Sequence, residues 1–429
     1  MSAPVIGFAG MTHLGVNSVA AALARGFRTV CYDGDTEVIA ALSQGRPPVT
    51  EPGLDEVLRN KAGAARFTAH AADLAGCDVV YISTDVATDD EGRSDLSRVN
   101  RLIREVAGVL RTDATLVVLC QVPPGFTRAL DMPKDRLYYQ VETLVFGRAV
   151  DRAINPERFI VGCADPQAPL PAPFGAFLAA FGCPILPMQY ESAELAKIAI
   201  NCCLVSSVSV ANTLAELCEH MGAVWSEIAP ALKLDKRIGP HAYLSPGLGI
   251  AGGNLERDLA TVIRFADELH TDAGVVKAWV ANSRHRRNWA ARMIKLVLLD
   301  AQPHAVVAVW GLAYKENTHS VKNSPSLATI AQLPGTTLRV HDPVVPATTI
   351  RHPKASGAND PLDALSGADA LMILTPWPQY REISPAAIVS AMRGRIVLDP
   401  YAVLDARLAE DAGLELHTLG RTVRKAAHA

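Results

Sequence analysis

The chain has 429 residues, 49% of them hydrophobic and 20% charged, with a formal net charge of −3. At roughly 150 residues per domain, this length predicts two or three domains, each able to bury a core of its own. The charge excludes a global basic field for nucleic acid or an anionic membrane, so any bound anion must be captured locally.

In chain order, the first 120 residues alternate short β-branched runs with helical stretches. Val5–Ala9, Thr29–Tyr32, Val79–Ser83 and Thr115–Leu119 read as strands, and Val16–Arg25 and Leu96–Leu110 as helices between them. This alternation predicts βαβ units and a parallel sheet. Pro166–Pro173 reads as a loop, and Ser192–Met221 and Ala273–Leu299 as long helices with an apolar face. The βαβ pattern then returns, with Val306–Val309, Leu338–Val340, Leu371–Leu374 and Ile396–Leu398 as strands and a frayed tail after Arg421. The fold class expected is α/β, with two doubly wound, Rossmann-like parallel-sheet domains joined by a central long-helix segment. The boundaries expected are 1–190, 191–300 and 301–429. No basic region precedes an apolar one at the N-terminus, and the uninterrupted apolar runs are shorter than the roughly 18 residues of a spanning helix. A cytoplasmic chain without a membrane segment is expected. Eight scattered cysteines lack a C-x-x-C pair or a regular spacing. They read as reduced core residues, with no metal site.

The first strand runs into GFAGMTHLG, which places Gly10, Thr12 and Gly15 at the three positions of a dinucleotide fingerprint, with its middle glycine replaced. The first glycine allows the tight turn, the second the approach of a pyrophosphate, and the third the packing of helix on strand. Thr12 adds a side chain where space is short. Asp33 follows Gly10 by 23 residues, the placement of an acid that binds a ribose 2′-hydroxyl and repels a 2′-phosphate. NAD rather than NADP is expected. In SAELAKIAIN, Lys197 and Asn201 share a helix face and are able to polarise an oxygen or hold a water. Taken alone, they read as a solvated lysine and a helix–helix hydrogen bond. Glu142, just past the strand-like LYYQV, is a candidate base or water-orienting group, or else a surface carboxylate. Arg237 precedes the glycine loop of GLGIAGGNLERD, a composition suited to a phosphate or sugar, and Lys315 and Lys322 follow a strand of the second sheet as a candidate anion site.

These pieces, in this order, resemble the UDP-glucose/GDP-mannose dehydrogenase family nearly end to end. EPGLDE at Glu51, SDLSRV at Ser94, VPPGFT at Val122, NPER at Asn155, DPVV at Asp342 and LTPW at Leu374 strengthen the resemblance. It implies NAD bound by the first domain, the nucleotide of a sugar nucleotide bound by the last, and a homodimer built on the central helices. In that family a primary alcohol is oxidised twice, the second time through a cysteine thiohemiacetal and a thioester. The resemblance assigns Lys197 and Asn201 to the oxyanion or water, Asp258 and Glu142 to catalysis, Arg237 to a neighbouring subunit's site and Lys315 to the nucleotide sugar. Thr84 and Lys322 are assigned to the cofactor, and Gly249 and Gly252 to the substrate. Five positions depart from the family pattern. Asn254 stands where the cysteine is expected, with Ala251 and Gly253 in place of Gly and Ser. Gln121 stands in place of a water-binding Thr, and Tyr401 in place of an Arg that touches the substrate nucleotide.

An amide is no nucleophile, so a thioester through Asn254 is excluded. The expectation is an NAD-dependent nucleotide-sugar oxidoreductase limited to one hydride transfer, or returning it as in an epimerase. Two alternatives stand beside it: full oxidation to a uronic acid through a hydrated aldehyde, and a catalytically silent nucleotide-sugar-binding protein. Cys120, beside Gln121, is either a substitute nucleophile or a core thiol.

Overall fold

The computed structural model of the chain describes residues 3–89 and 93–423. The chain divides into two compact units, Met1–Ile200 and Asn201–Ala429.

The first unit is built on an eight-stranded sheet. Its strands are β1 (Ile6–Ala9), β2 (Thr29–Tyr32), β3 (Ala65–Thr68), β4 (Val79–Ile82), β5 (Thr115–Val118), β6 (Leu137–Gln140), β7 (Phe159–Cys163) and β8 (Ile185–Gln189). They lie in the order β8-β7-β6-β5-β4-β1-β2-β3. Every residue of β1, β4, β5 and β6 is buried. Covered on both faces by helices, such strands read as continuous apolar runs rather than alternating ones. All neighbours are parallel except β6 and β7, which pair antiparallel. The winding β3-β2-β1-β4 puts the reversal of strand order between β1 and β4, where an open α/β sheet forms its ligand crevice.

The second unit holds β9 (Val306–Trp310), β10 (Thr337–His341), β11 (Ala355–Gly357), β12 (Ala370–Ile373), β13 (Ile396–Leu398) and β14 (Glu415–His417), all parallel, in the order β11-β10-β9-β12-β13-β14. The winding repeats that of the first sheet, and so does the turn after its first strand. Gly311 takes φ 96° and its N–H donates to His341 O at 2.8 Å. Asp342, at the end of β10, accepts from the N–H groups of Leu312, Ala313, Val344 and Val345 and from Trp377 Nε1.

The helix Tyr190–Met221, expected from Ser192, has 32 residues and so measures about 48 Å. By length and apolarity it is sufficient to cross a membrane, although polar residues punctuate it and it holds no uninterrupted apolar run of that length. Glu194, Lys197, Asn201 and Asn212 on it are nevertheless buried and hydrogen-bonded within the protein, as on a core helix. Leu195, Val210, Leu214, Leu217 and Met221 are exposed, the last four at helical spacing along one face.

Three expectations need correction. The helix expected over Ala273–Leu299 is broken into Gly274–Arg287, Trp289–Ile294 and a π turn Lys295–Leu299. The break falls at Asn288 (φ −84°, ψ 0°), whose side chain accepts from Gln332. Pro166–Pro173 is a loop only to Pro171, because Ala172 and Pro173 open a helix, where proline fits the first turn. The tail expected to fray after Arg421 lies outside the described residues beyond 423, but its first residue, Thr422, is held beside the paired Arg421. Arg421 pairs with Val224, and Thr422 Oγ1 donates to Cys218 O.

Candidate functional site

In the first unit the turn after β1 is shaped by contact. Gly10 has φ 101°, and a Cβ there would lie 2.8 Å from Thr84 Cβ. A Cβ on Gly15 would lie 1.9 Å from Gly10 O. Both positions therefore exclude larger residues, and the helix His13–Ala24 starts directly at the turn. This bare backbone at a helix N-terminus fits a dinucleotide pyrophosphate. Thr12 does more than occupy space, since its Oγ1 accepts from Asp85 N–H at 2.8 Å and ties the turn to the loop after β4. Thr84 is fully buried in that loop. Asp33 is buried at the end of β2, where its Oδ2 accepts from Met11 N–H at 2.8 Å and pairs with Arg98 at 3.0 Å. His13 and Glu51 form a buried pair at 2.8 Å, and the Glu51 carboxylate also receives the N–H groups of Gly147 and Ala149.

The Glu142 carboxylate and the Lys197 ammonium meet at 2.7 Å, with Lys197 Nζ also donating to Glu142 O. Lys197 is only 8% exposed, so neither the solvated-lysine nor the surface-Glu reading applies. Glu142 is further oriented by Leu144 N–H. One turn before Lys197, Glu194 is fully buried and accepts from the N–H groups of Gly125 and Thr127 in the loop following Gln121. Burial raises its pKa above the usual carboxylate value. Glu194 was not singled out from the sequence, although its i, i−3 spacing from Lys197 puts it on the same helix face.

In the second unit Asn201 Nδ2 donates to Asp258 Oδ2, and Arg257 Nε lies 3.5 Å from Asp258 Oδ1. Asp258 is 1% exposed. Gly249, Gly252 and Gly253 all have positive φ, and a Cβ would lie 2.4 Å from Ser283 O at Gly249 and 2.8 Å from Tyr314 Cε2 at Gly252. Lys322 covers Gly253, and its carbonyl accepts from Gly252 N–H. Lys315 sits over the Tyr314 ring. A Cβ on Gly247 would lie 3.7 Å from Tyr401 Cε1, and burial pushes the Tyr401 phenol above the usual range. The loop delivers Asn254 as the exposed first residue of the helix Asn254–Leu269. Arg237 is 89% exposed and bonds Asp235 two residues earlier. The assigned residues thus gather as the Gly10–Thr12–Asp33–Thr84 group and the Glu142–Lys197 pair in one unit. In the other they form the Asn201–Asp258 pair and the glycine loop with Lys322 and Tyr401.

Cys120 is fully buried, its Sγ donates to Ile82 O, and burial pushes its thiol up to about 12. It is a core thiol and no nucleophile at neutral pH. The all-core reading of the cysteines fails at Cys203, which is exposed. Iodoacetamide applied to the folded protein at about pH 8 is expected to alkylate Cys203 and spare Cys120. Peptide mass spectrometry checks this, and modification of Cys120 in folded protein would return it to consideration as a nucleophile.

A dinucleotide turn at the reversal of one sheet and a buried lysine–carboxylate pair past its strands suit a class of protein, the dinucleotide-dependent oxidoreductases. The comparisons agree part by part. The UDP-glucose/GDP-mannose dehydrogenase NAD binding domain matches residues 5–170, its central domain 191–284 and its UDP binding domain 308–406. The chain belongs to the UDP-glucose/GDP-mannose dehydrogenase family, and its cofactor is NAD. It is 30% identical to the UDP-glucose 6-dehydrogenase of Pseudomonas aeruginosa, with 91% of each chain covered. Among solved structures, a UDP-glucose dehydrogenase from Pyrobaculum islandicum superposes with a TM-score of 0.84 at 27% identity, covering 96% of this chain and 97% of that one. The UDP-D-ManNAc dehydrogenase of Pyrococcus horikoshii shares the fold, with a TM-score of 0.82 at 22% identity over 97% and 99% of the two chains.

Proposed function

We propose that the chain takes a single hydride from a carbinol carbon of a nucleotide sugar, giving a carbonyl, or returns that hydride in an epimerisation. The observation that carries this reading is Asn254, presented by the glycine loop at the position where the family pattern has its cysteine. NAD would supply the hydride acceptor, held in the first unit at the Gly10–Gly15 turn, Asp33 and Thr84. The substrate hydroxyl loses its proton to Asp258 or to a water between Lys197 and Asn201. As the C–H pair leaves, negative charge on the substrate oxygen is stabilised by the Lys197 ammonium, oriented by Glu142. The products are the carbonyl, one reduced cofactor and one proton. Arg237, Lys315, Tyr401 and the backbone at Gly249 and Gly252 hold the nucleotide sugar, and Gln121 replaces a water ligand. The three-part division at 190 and 300 goes with this reading. The test is a screen of UDP-, GDP-, ADP- and CDP-sugars with NAD, reading NADH formation and product mass. A carboxylate product would favour the hydrated-aldehyde route, and binding with no turnover or epimer would favour a silent sensor.

We also propose a homodimer in which Arg237 completes the neighbouring site. The exposed apolar face of Val210, Leu214, Leu217 and Met221 and the solvent-facing Arg237 guanidinium support it. Mixed dimers of an Arg237→Ala chain and a Lys197→Ala chain are expected to recover part of the activity that each homodimer lacks. No recovery in verified heterodimers would place each site within one subunit.

A further inference from the structure

We infer that Arg98 is a specificity-determining residue of the dinucleotide site, restrained by Asp33 so that its guanidinium decides how the site treats a phosphate on the adenosine ribose. The inference rests on the placement of Asp33 at that ribose.

Arg98 Nη2 lies 3.0 Å from Asp33 Oδ2, the oxygen that also accepts Met11 N–H of the pyrophosphate turn. The Asp33 side chain is 8% exposed and that of Arg98 43%. The carboxylate is therefore sunk in the protein while the guanidinium stands at the solvent side of the pair. Arg98 owes its position to packing. It belongs to the first turn of the helix Ser97–Ala107, whose Val99, Leu102, Ile103 and Val106 are buried in one core cluster with Tyr32 and Ile82. Tyr32, the residue before Asp33, also donates its hydroxyl to Glu105 of the same helix. The helix is thus fixed to the end of β2 at two places.

A cation in the first turn of a helix opposes the macrodipole, and Asp33 offsets that cost. The pairing also changes what a 2′-phosphate would meet. A lone aspartate repels such a phosphate, but here the carboxylate charge is matched by a guanidinium with five donors in a planar fork, the group best suited to bind phosphate. While Asp33 is ionised it holds that fork. Once the carboxylate charge is removed, the fork is free to turn to the phosphate.

The test measures dissociation constants of NAD and NADP by titration calorimetry on the full-length protein, with no turnover required. Asp33→Asn is expected to tighten NADP binding by about tenfold, the order of one charge-assisted hydrogen bond. Asp33→Asn combined with Arg98→Gln is expected to lose that gain. Arg98→Gln alone leaves an uncompensated carboxylate and is expected to shift the NADP-to-NAD ratio of dissociation constants further against NADP. It also carries the test if the Asp33 variants fail to fold. Equal NADP affinity of the Asp33→Asn single variant and the double variant, or an unchanged ratio in Arg98→Gln, would overturn the inference. Unaltered binding of both dinucleotides by Asp33→Asn would instead overturn the placement of Asp33 at the ribose, and the inference with it.

Discussion

One NADH per sugar is the most that the unmodified chain is expected to produce from a productive nucleotide sugar, with a carbonyl product, or none where the hydride is returned in the same turnover. The second oxidation in the family pattern passes through a thiohemiacetal, and that bond needs a thiolate at the end of the glycine loop. In the proposed reading that place is taken by Asn254, exposed at the head of its helix, and an amide forms no such adduct. The alternative thiol considered from the sequence, Cys120, is buried and pushed up to about 12. Asn254→Cys by itself is not expected to create a producer of uronic acids. Gln121 and Gly253 also depart from the family pattern, and a displacement of about 1 Å at a reacting centre can cost roughly a hundredfold. Stoichiometric NADH measured against consumed sugar, with the product identified by mass, decides the matter. Two NADH and a carboxylate would overturn the single-transfer reading.

Lys197→Ala is expected to lower kcat by about a hundred- to a thousandfold, the range for loss of one preorganised group that stabilises developing charge, with a much smaller change in KM. The expectation follows from burial. At 8% exposure, within 2.7 Å of a carboxylate, the ammonium acts with little screening by water. A group used mainly in the transition state shows its loss in kcat, whereas one that only binds substrate shows it in KM. Steady-state kinetics on the best substrate of the nucleotide-sugar screen makes the distinction. A change confined to KM would make Lys197 a binding residue. Thermal unfolding of the variant separates either result from misfolding, since the substitution also removes the ammonium partner of Glu142 inside the first unit.

Much of the fold was legible because most of its strands are buried on both faces and so appear as uninterrupted β-branched runs. β2 and β13 fall where the runs predict them. Ala65–Thr68, Ala355–Gly357 and Glu415–His417 carried too weak a signal. Three or four residues show no period, and the first two include exposed positions. Of the site, the fingerprint turn and the Lys197–Asn201 face were visible from spacing within one segment. The partners that give these residues their chemistry lie far away in sequence: Glu142 for Lys197, Asp258 for Asn201, Arg98 for Asp33. Only the third dimension brings them together, and no local pattern encodes which carboxylate a given cation will meet. Arg98 has no reading of its own in the sequence, where it falls within the SDLSRV stretch at Ser94.

The two sheets repeat one winding, but their equivalent carboxylates have had opposite fates. Asp33 faces two backbone donors and a half-exposed guanidinium, so acceptor capacity remains for an incoming hydroxyl. Asp342 meets five donors from the protein itself, more than the roughly four acceptor sites of a carboxylate can serve separately. A sugar hydroxyl arriving at Asp342 would have to evict an N–H group and leave it unsatisfied, at a cost of about 1–3 kcal/mol. In the last domain the residue that could have read a ribose has become a rivet. A nucleotide bound at this sheet would then be read by side chains beyond that turn rather than by Asp342.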